Sequence, residues 1–200
     1  MGALTWSSLP DSLPWWIVGA VAVFWFVGAY KRLVRLRSAA LMAFAPLHAA
    51  LLRQLEFVQA RTQGEVPTPW DVSAGASLQA AAAQLGTLLA TTRLRPLDPA
   101  SMAALGTALH VLLAAWQHLH PDAVVSFGAD GTLSRPMPLG DKDEPQPENA
   151  PLAWPEPSAA AEIARNQFNL AVAHYDAAIG QFPALLVAWI MQLRPAAPLR

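Results

Sequence analysis

The 200 residues suffice for one compact domain with a short anchor. Without a single cysteine, the chain excludes disulfides, thiolate catalysis and cysteine-ligated zinc. A net charge of -1, with no basic cluster interleaved with aromatics, sets nucleic acid aside, while 54% hydrophobic against 14% charged residues points to a membrane contribution.

Residues 1–14 form a tail that holds Asp11 and no Lys or Arg. From Trp15 to Tyr30 no charged or amide side chain occurs, which predicts a transmembrane helix. Sixteen residues give only about 24 Å, short of the ~30 Å hydrocarbon core. Snorkelling Lys31 and Arg32 make up the difference, and Trp15, Trp16 and Tyr30 stand where interfacial aromatics belong. A cleaved signal peptide needs a positive start, which is missing. Lys31, Arg32, Arg35 and Arg37 follow the apolar run directly and predict that the N-terminus lies outside and residues 31–200 lie in the cytoplasm.

Beyond the anchor, Leu33, Leu36, Ala40, Phe44, Leu47, Leu51, Leu55 and Val58 recur at steps of three and four, so the anchor runs on into a long first helix. Pro46 predicts a kink or break near Phe44 to Pro46, and residues 63–69 end the helix. A second helix is expected from about Asp71 or Ser73, with Ala74, Leu78, Ala81, Leu85 and Leu88 inward, closing at Arg95-Pro96. The run Ala80 to Ala83 permits close approach of a neighbour. Asp98 as N-cap and Pro99 in the first turn open a third helix, whose stripe is Leu105, Leu109, Leu112, Trp116 and Leu119.

Residues 121–157 read as an irregular Pro-rich insertion. Within it Val124 to Phe127 and Thr132 to Ser134 flank Gly128-Ala129-Asp130-Gly131 as a small hairpin. Asp141-Lys142-Asp143-Glu144 reads as a solvated loop. The last long helix opens at Ser158 and carries Phe168, Val172, Tyr175, Ile179 and Phe182, a coiled-coil-like seam suited to an antiparallel bundle, and Pro183 stops it. The following segment, 184–193, is about 15 Å of helix, too short to span. Its stripe of Leu185, Leu186, Trp189, Ile190 and Leu193 is a candidate interaction surface that either caps the bundle or meets a partner or the bilayer interface.

Ligand-type side chains concentrate only at His118, His120 and Asp122, with His110 upstream. On a helix, positions two apart point about 200° apart and cannot chelate from one face, so these read as a polar helix end. His174 and Asp176 also diverge, and no nucleophile or phosphate-loop motif occurs. Trp116, Tyr175 and Phe182 read as core rather than as a cofactor box. No catalytic residue, cofactor, metal or small-molecule substrate is expected.

Two segments carry a family resemblance. Tyr30-Lys31-Arg32-Leu33-Val34-Arg35-Leu36-Arg37, directly after the span, resembles the opening of the LemA family. Residues 162–183, with Arg165, Phe168-Asn169, Ala171-Val172, Tyr175, Ile179 and Phe182-Pro183, resemble that family's last long helix. The chain resembles a divergent member, since residues 44–54 carry a proline and few charges, and residues 121–157 replace a compact connection. The resemblance implies a bacterial membrane protein with one N-terminal span, a helical-bundle domain and no established enzymatic activity. The resulting expectation is an all-α protein, a transmembrane helix followed by an antiparallel bundle. It would act as a non-enzymatic scaffold or adaptor at the plasma membrane, with the lipid bilayer and an unidentified membrane or cytoplasmic protein as partners. The competing readings are a membrane-tethered enzyme with a site near His118, His120 and Asp122, and an envelope-facing binding domain.

Overall fold

The computed structural model describes residues 13–64, 72–121, 125–134, 152–182 and 184–199. Asp71, Asp122, the turn segment 65–69, the acidic run 141–144 and Pro183 lie outside them. Five helices, α1 (Leu13–Gly64), α2 (Val72–Thr92), α3 (Pro99–Leu119), α4 (Ala159–Gly180) and α5 (Ala184–Ile190), are joined by a small sheet of β1 (Val125–Phe127), β2 (Leu133–Ser134) and β3 (Ala153–Trp154). The chain is therefore mostly helical rather than all-α.

The anchor and the first bundle helix are one element of 52 residues. All the expected inward positions of its second part are buried except Leu36, which is half-buried. Contrary to expectation, Pro46 does not break the helix. The reason lies in its orientation. Pro46 and Met42, whose carbonyl loses its partner, both face outward, Met42 with 71% exposure, so water can satisfy the freed oxygen.

Helices α1 and α4 run antiparallel: Gln54 meets Glu156, just ahead of α4, Phe44 meets Phe168 edge-to-face at 5.8 Å between ring centroids, and Leu33 packs with Ala178. Helices α2 and α3 pair through the short connection 93–98. Asp98 caps α3 by accepting from the Ser101 N–H at 2.9 Å, with Pro99 in the first turn, and Ser158 caps α4 by accepting from the Ala160 N–H at 3.3 Å. On α2 the buried set is Leu78, Ala81, Ala82, Leu85, Leu89 and Thr92, so Leu89 rather than Leu88 closes the stripe. Its small residues admit α1 closely: a Cβ on Gly86 would stand 3.3 Å from a Leu55 methyl.

The insertion is less irregular than its composition suggests. β1 pairs antiparallel with β2 and also with β3, giving the order β2-β1-β3. Gly131 closes the hairpin at φ +83, a conformation that favours glycine, and a Cβ there would also strike Ile163 of α4 at 2.8 Å. β3, which no alternation in the sequence announced, brings Trp154 to full burial.

One expectation for the C-terminal region is corrected. Phe182 is 76% exposed rather than part of the core seam. In α5 the buried residues are Ala184, Val187 and Ala188, against Phe26, Ala29 and Leu33 of α1 and Ala178 of α4, which leaves Leu185, Leu186, Trp189 and Ile190 outside. Of the stripe of large residues only the half-buried Leu193 packs with this cluster, so the cap is made mainly by the small residues. Small residues win the inner face because α1 and α4 already crowd it, and α5 turns 92° from α4 to lie across them.

Because Pro46 gives up one helix hydrogen bond on a solvent-facing surface, Pro46→Ala should stabilise the full chain in detergent by about 1 to 3 kcal/mol. Urea unfolding measures this, and a loss of stability would mean that Pro46 has a packing role.

Candidate juxtamembrane site

From Trp15 to Phe24 helix α1 stands clear of the bundle, with Trp15 and Trp16 each 77% and Phe24 85% exposed, and only Trp25, Phe26 and Ala29 meet the corner and helix α5. Ile17, Val18, Val21, Val23, Phe24, Phe26 and Val27 together favour a bilayer over water by about 2 to 4 kcal/mol, with no charge to oppose them. Carrying one of the following basic residues to the bilayer centre would cancel most of that gain, at roughly 2.5 to 3.5 kcal/mol. The apolar span therefore stops at Tyr30. Lys31, Arg32, Arg35 and Arg37 are all exposed on the next two turns.

Among the described residues two helices, α1 and α3, are long and apolar enough to cross a membrane. Their surroundings differ. The most apolar window of α3 is 44% buried and packs against α2 and α1, including Trp116 edge-to-face on Phe57 at 5.9 Å, whereas that of α1 is 6% buried.

The bundle end beside the anchor gathers further positive charge. Arg37 of α1, Arg95 of the α2–α3 connection and Arg194 line one surface depression with Tyr175 and Asp98. Arg93 and the 83% exposed Leu94 belong to the same connection. The Asp98 carboxyl sits below its usual range, chiefly because the Ser101 hydroxyl donates to it at 2.7 Å and the Ser101 N–H at 2.9 Å, with Arg95 and Arg194 adding to that direction.

Phe182, at the corner between α4 and α5, meets the anchor: its ring lies 5.2 Å from that of Trp25. Trp25 is five residues before Tyr30, about 7.5 Å inside the apolar span. Past α5 the Leu193 N–H donates to the Ala188 carbonyl at 2.9 Å and Gln192 takes φ 52, a left-handed helix ending that turns the chain back along α4.

That returning segment is held by polar side chains of α4. Asn169 clamps the Leu199 backbone, donating to its carbonyl at 3.1 Å and accepting from its N–H at 2.8 Å. The Tyr175 hydroxyl donates to the Arg194 carbonyl at 3.2 Å, and the Ala196 N–H donates to Asp176 at 2.9 Å. At the opposite end Glu162 and Arg165, each 1% exposed, form an ion pair at 2.6 Å, to which Trp154 Nε1 donates at 3.1 Å and Asn166 Nδ2 at 3.1 Å. Gln54 accepts from the Glu156 N–H at 2.9 Å and so ties β3 and the start of α4 to α1. Breaking one side of such a buried pair costs roughly 3 to 5 kcal/mol. The stripe reading passed over these residues, although stepping back three positions from Phe168 lands on Arg165 and flags a charge at a core position.

The histidines are dispersed. His118 is exposed, while His120 is the C-cap of α3, its N–H donating to the Trp116 carbonyl at 2.8 Å and its ring tilted 45° against that of Trp116 with centroids 4.2 Å apart. Among the described residues no three His, Asp or Glu side chains are placed to hold a metal ion.

Burial raises the Asp176 carboxyl above its usual value, with the Ala196 N–H opposing in part. A carboxyl with a raised folded pKa contributes stability that is complete below its unfolded pKa and lost as pH rises through the folded one. Asp176→Asn keeps an acceptor for Ala196 and removes the ionisation. It should be more stable than the parent near neutral pH, with the difference vanishing below about pH 4, and thermal unfolding across pH reads this directly; an advantage independent of pH would remove ionisation as its cause. Comparison of the chain with family models, curated proteins and solved structures finds no match.

Proposed function

We propose that this chain is a LemA-like, single-pass protein of the bacterial plasma membrane, with its N-terminus outside, its bundle in the cytoplasm, and the role of a non-enzymatic scaffold or adaptor. The observation that carries the reading is the exposed apolar helix that continues without interruption into the bundle and meets Lys31, Arg32, Arg35 and Arg37 where it ends. The exposed basic residues favour retention on the cytoplasmic side, and residues 1–14, on the other side of the span, hold no Lys or Arg.

A scaffold needs a stiff body at a set distance from the bilayer rather than a reactive cleft. The polar side chains of α4 support that use, because Glu162, Asn169 and Asp176 each hold a neighbouring segment in place and Arg165 pairs with Glu162. The bundle then displays its outer surface to a membrane or cytoplasmic protein at a fixed height.

A reporter fused after Arg200 should be active when it requires the cytoplasm and silent when it requires export. Neutralising Lys31, Arg32, Arg35 and Arg37 together should scramble the result. Activity of the export-dependent reporter would contradict the orientation, and stoichiometric zinc, iron or manganese in protein purified from membranes would contradict the non-enzymatic role.

A further inference from the structure

Helix α5 is short, apolar on two opposite faces and set across the anchor. Its inner face, Ala184, Val187 and Ala188, is spent on α1 and α4. At about 100° per residue, Leu185, Leu186, Trp189 and Ile190 occupy the opposite arc, and they are between 47% and 78% exposed. A cytosolic protein rarely leaves four such neighbours to water without a use for them.

Three observations say what covers this face. The first is depth: α5 packs on Phe26, Ala29 and Leu33, so it brackets the Tyr30–Lys31 boundary where the apolar span meets the basic turns. The second is direction: α4 is antiparallel to α1 and α5 lies 92° from α4, so a helix α1 along the bilayer normal puts α5 in the bilayer plane. The third is continuity: Phe182, just before α5, already touches Trp25 inside the span, so the corner reaches below the boundary beside the anchor.

We propose that α5 is an interfacial membrane helix, its Leu185–Leu186–Trp189–Ile190 face seated at the acyl boundary of an anionic leaflet while Arg37, Arg95 and Arg194 engage lipid phosphates above it. This rests on α1 crossing the bilayer. Trp at the headgroup boundary and basic side chains just outside it is the arrangement by which interfacial helices bind. Arg37 lies seven residues past Tyr30, about 10 Å along the helix, within side-chain reach of the headgroup layer. The depression that it shares with Arg95 and Arg194 joins α1, the α2–α3 connection and the returning C-terminal segment, so three parts of the bundle rest on one surface. The bundle is thus seated on the membrane as well as tethered to it, and its tilt about the anchor is restricted.

The chain has no cysteine, so single labels can be placed without background. Leu186→Cys, Trp189→Cys, Phe24→Cys and Gln59→Cys variants of the full chain carry an environment-sensitive fluorophore in nanodiscs of mixed phosphatidylglycerol and phosphatidylcholine. Labels at 186 and 189 should be quenched by lipids with a nitroxide high on the acyl chain, and only weakly by iodide. The label at 24 should respond to a nitroxide placed deeper, and the label at 59 to iodide alone. At 189, nitroxide on phosphatidylglycerol should quench at least twice as strongly as on phosphatidylcholine, and the ratio should fall towards one when Arg37, Arg95 and Arg194 are replaced by Gln. Lipid quenching at 24 with iodide quenching at 186 and 189 overturns the proposal and leaves the anchor standing. No lipid quenching at 24 overturns the anchor itself. Protection of 186 and 189 from both quenchers overturns the proposal in favour of a protein partner or a second copy, and a lipid ratio of one in the parent removes the anionic preference.

Discussion

As a candidate membrane span that runs on into the bundle, helix α1 has two solvents to satisfy with one unbroken backbone. Its first part presents apolar side chains all round, and its second part presents a single buried stripe from Leu33 to Val58 and exposes Arg32, Arg35, Arg53 and Glu56. A helix closes its own hydrogen bonds in either medium, so the change of solvent is written only in side chains and no joint is needed at the boundary. The consequence is mechanical. Every other element packs directly or indirectly on the second part of α1, so the position of the whole bundle is inherited from the anchor. Pro46 is compatible with this because it spends its missing hydrogen bond on the outward face.

The second dependence is on buried and half-buried polar side chains that hold short, irregular segments. Three amide or carboxyl clamps bind backbone: Gln54 to Glu156, Asn169 to Leu199 and Asp176 to Ala196. Such segments leave N–H and C=O groups that no helix or sheet satisfies, and a side-chain amide offers the donor and acceptor that a peptide lacks there. Glu162 and Arg165 act differently, making one charged knot that fixes Trp154 beneath α4.

Much of the bundle could be read from periodicity, because a helix face repeats every three to four residues and local caps use local chemistry. Leu105, Leu109, Leu112 and Trp116 are buried as their spacing required, and Asp98, Pro99 and Ser158 stand at the helix starts that their chemistry suits. The hairpin around Gly128 to Gly131 was also legible, since turn residues flanked by short β-prone runs are local signals. The third strand was not, because Ala153-Trp154 is too short to alternate and its partners in β1, Ser126 and Val125, lie 27 and 29 residues away in sequence. For α5 periodicity left capping and external contact both open, because neither depends on local spacing; packing against α1 and α4 takes Ala184, Val187 and Ala188 and leaves Leu185, Leu186, Trp189 and Ile190 outside. Phe182 continues the α4 stripe on paper, yet α4 ends at Gly180 and the ring turns to Trp25. Of the juxtamembrane site, Lys31 to Arg37 were visible as a cluster, whereas Arg95 and Arg194 join them only through the folding of α2, α3 and the C-terminal segment.

Anchor and bundle move as one rigid body only if α1 is continuous from the apolar segment into the bundle. Spin labels at Val27→Cys and Arg53→Cys span 26 residues across both the boundary and Pro46. A continuous helix separates their backbones by about 39 Å. Pulsed dipolar spectroscopy on the full chain in lipid nanodiscs should return one narrow distribution centred near that distance. A broad or markedly shorter distribution would show a hinge between anchor and bundle and contradict the account.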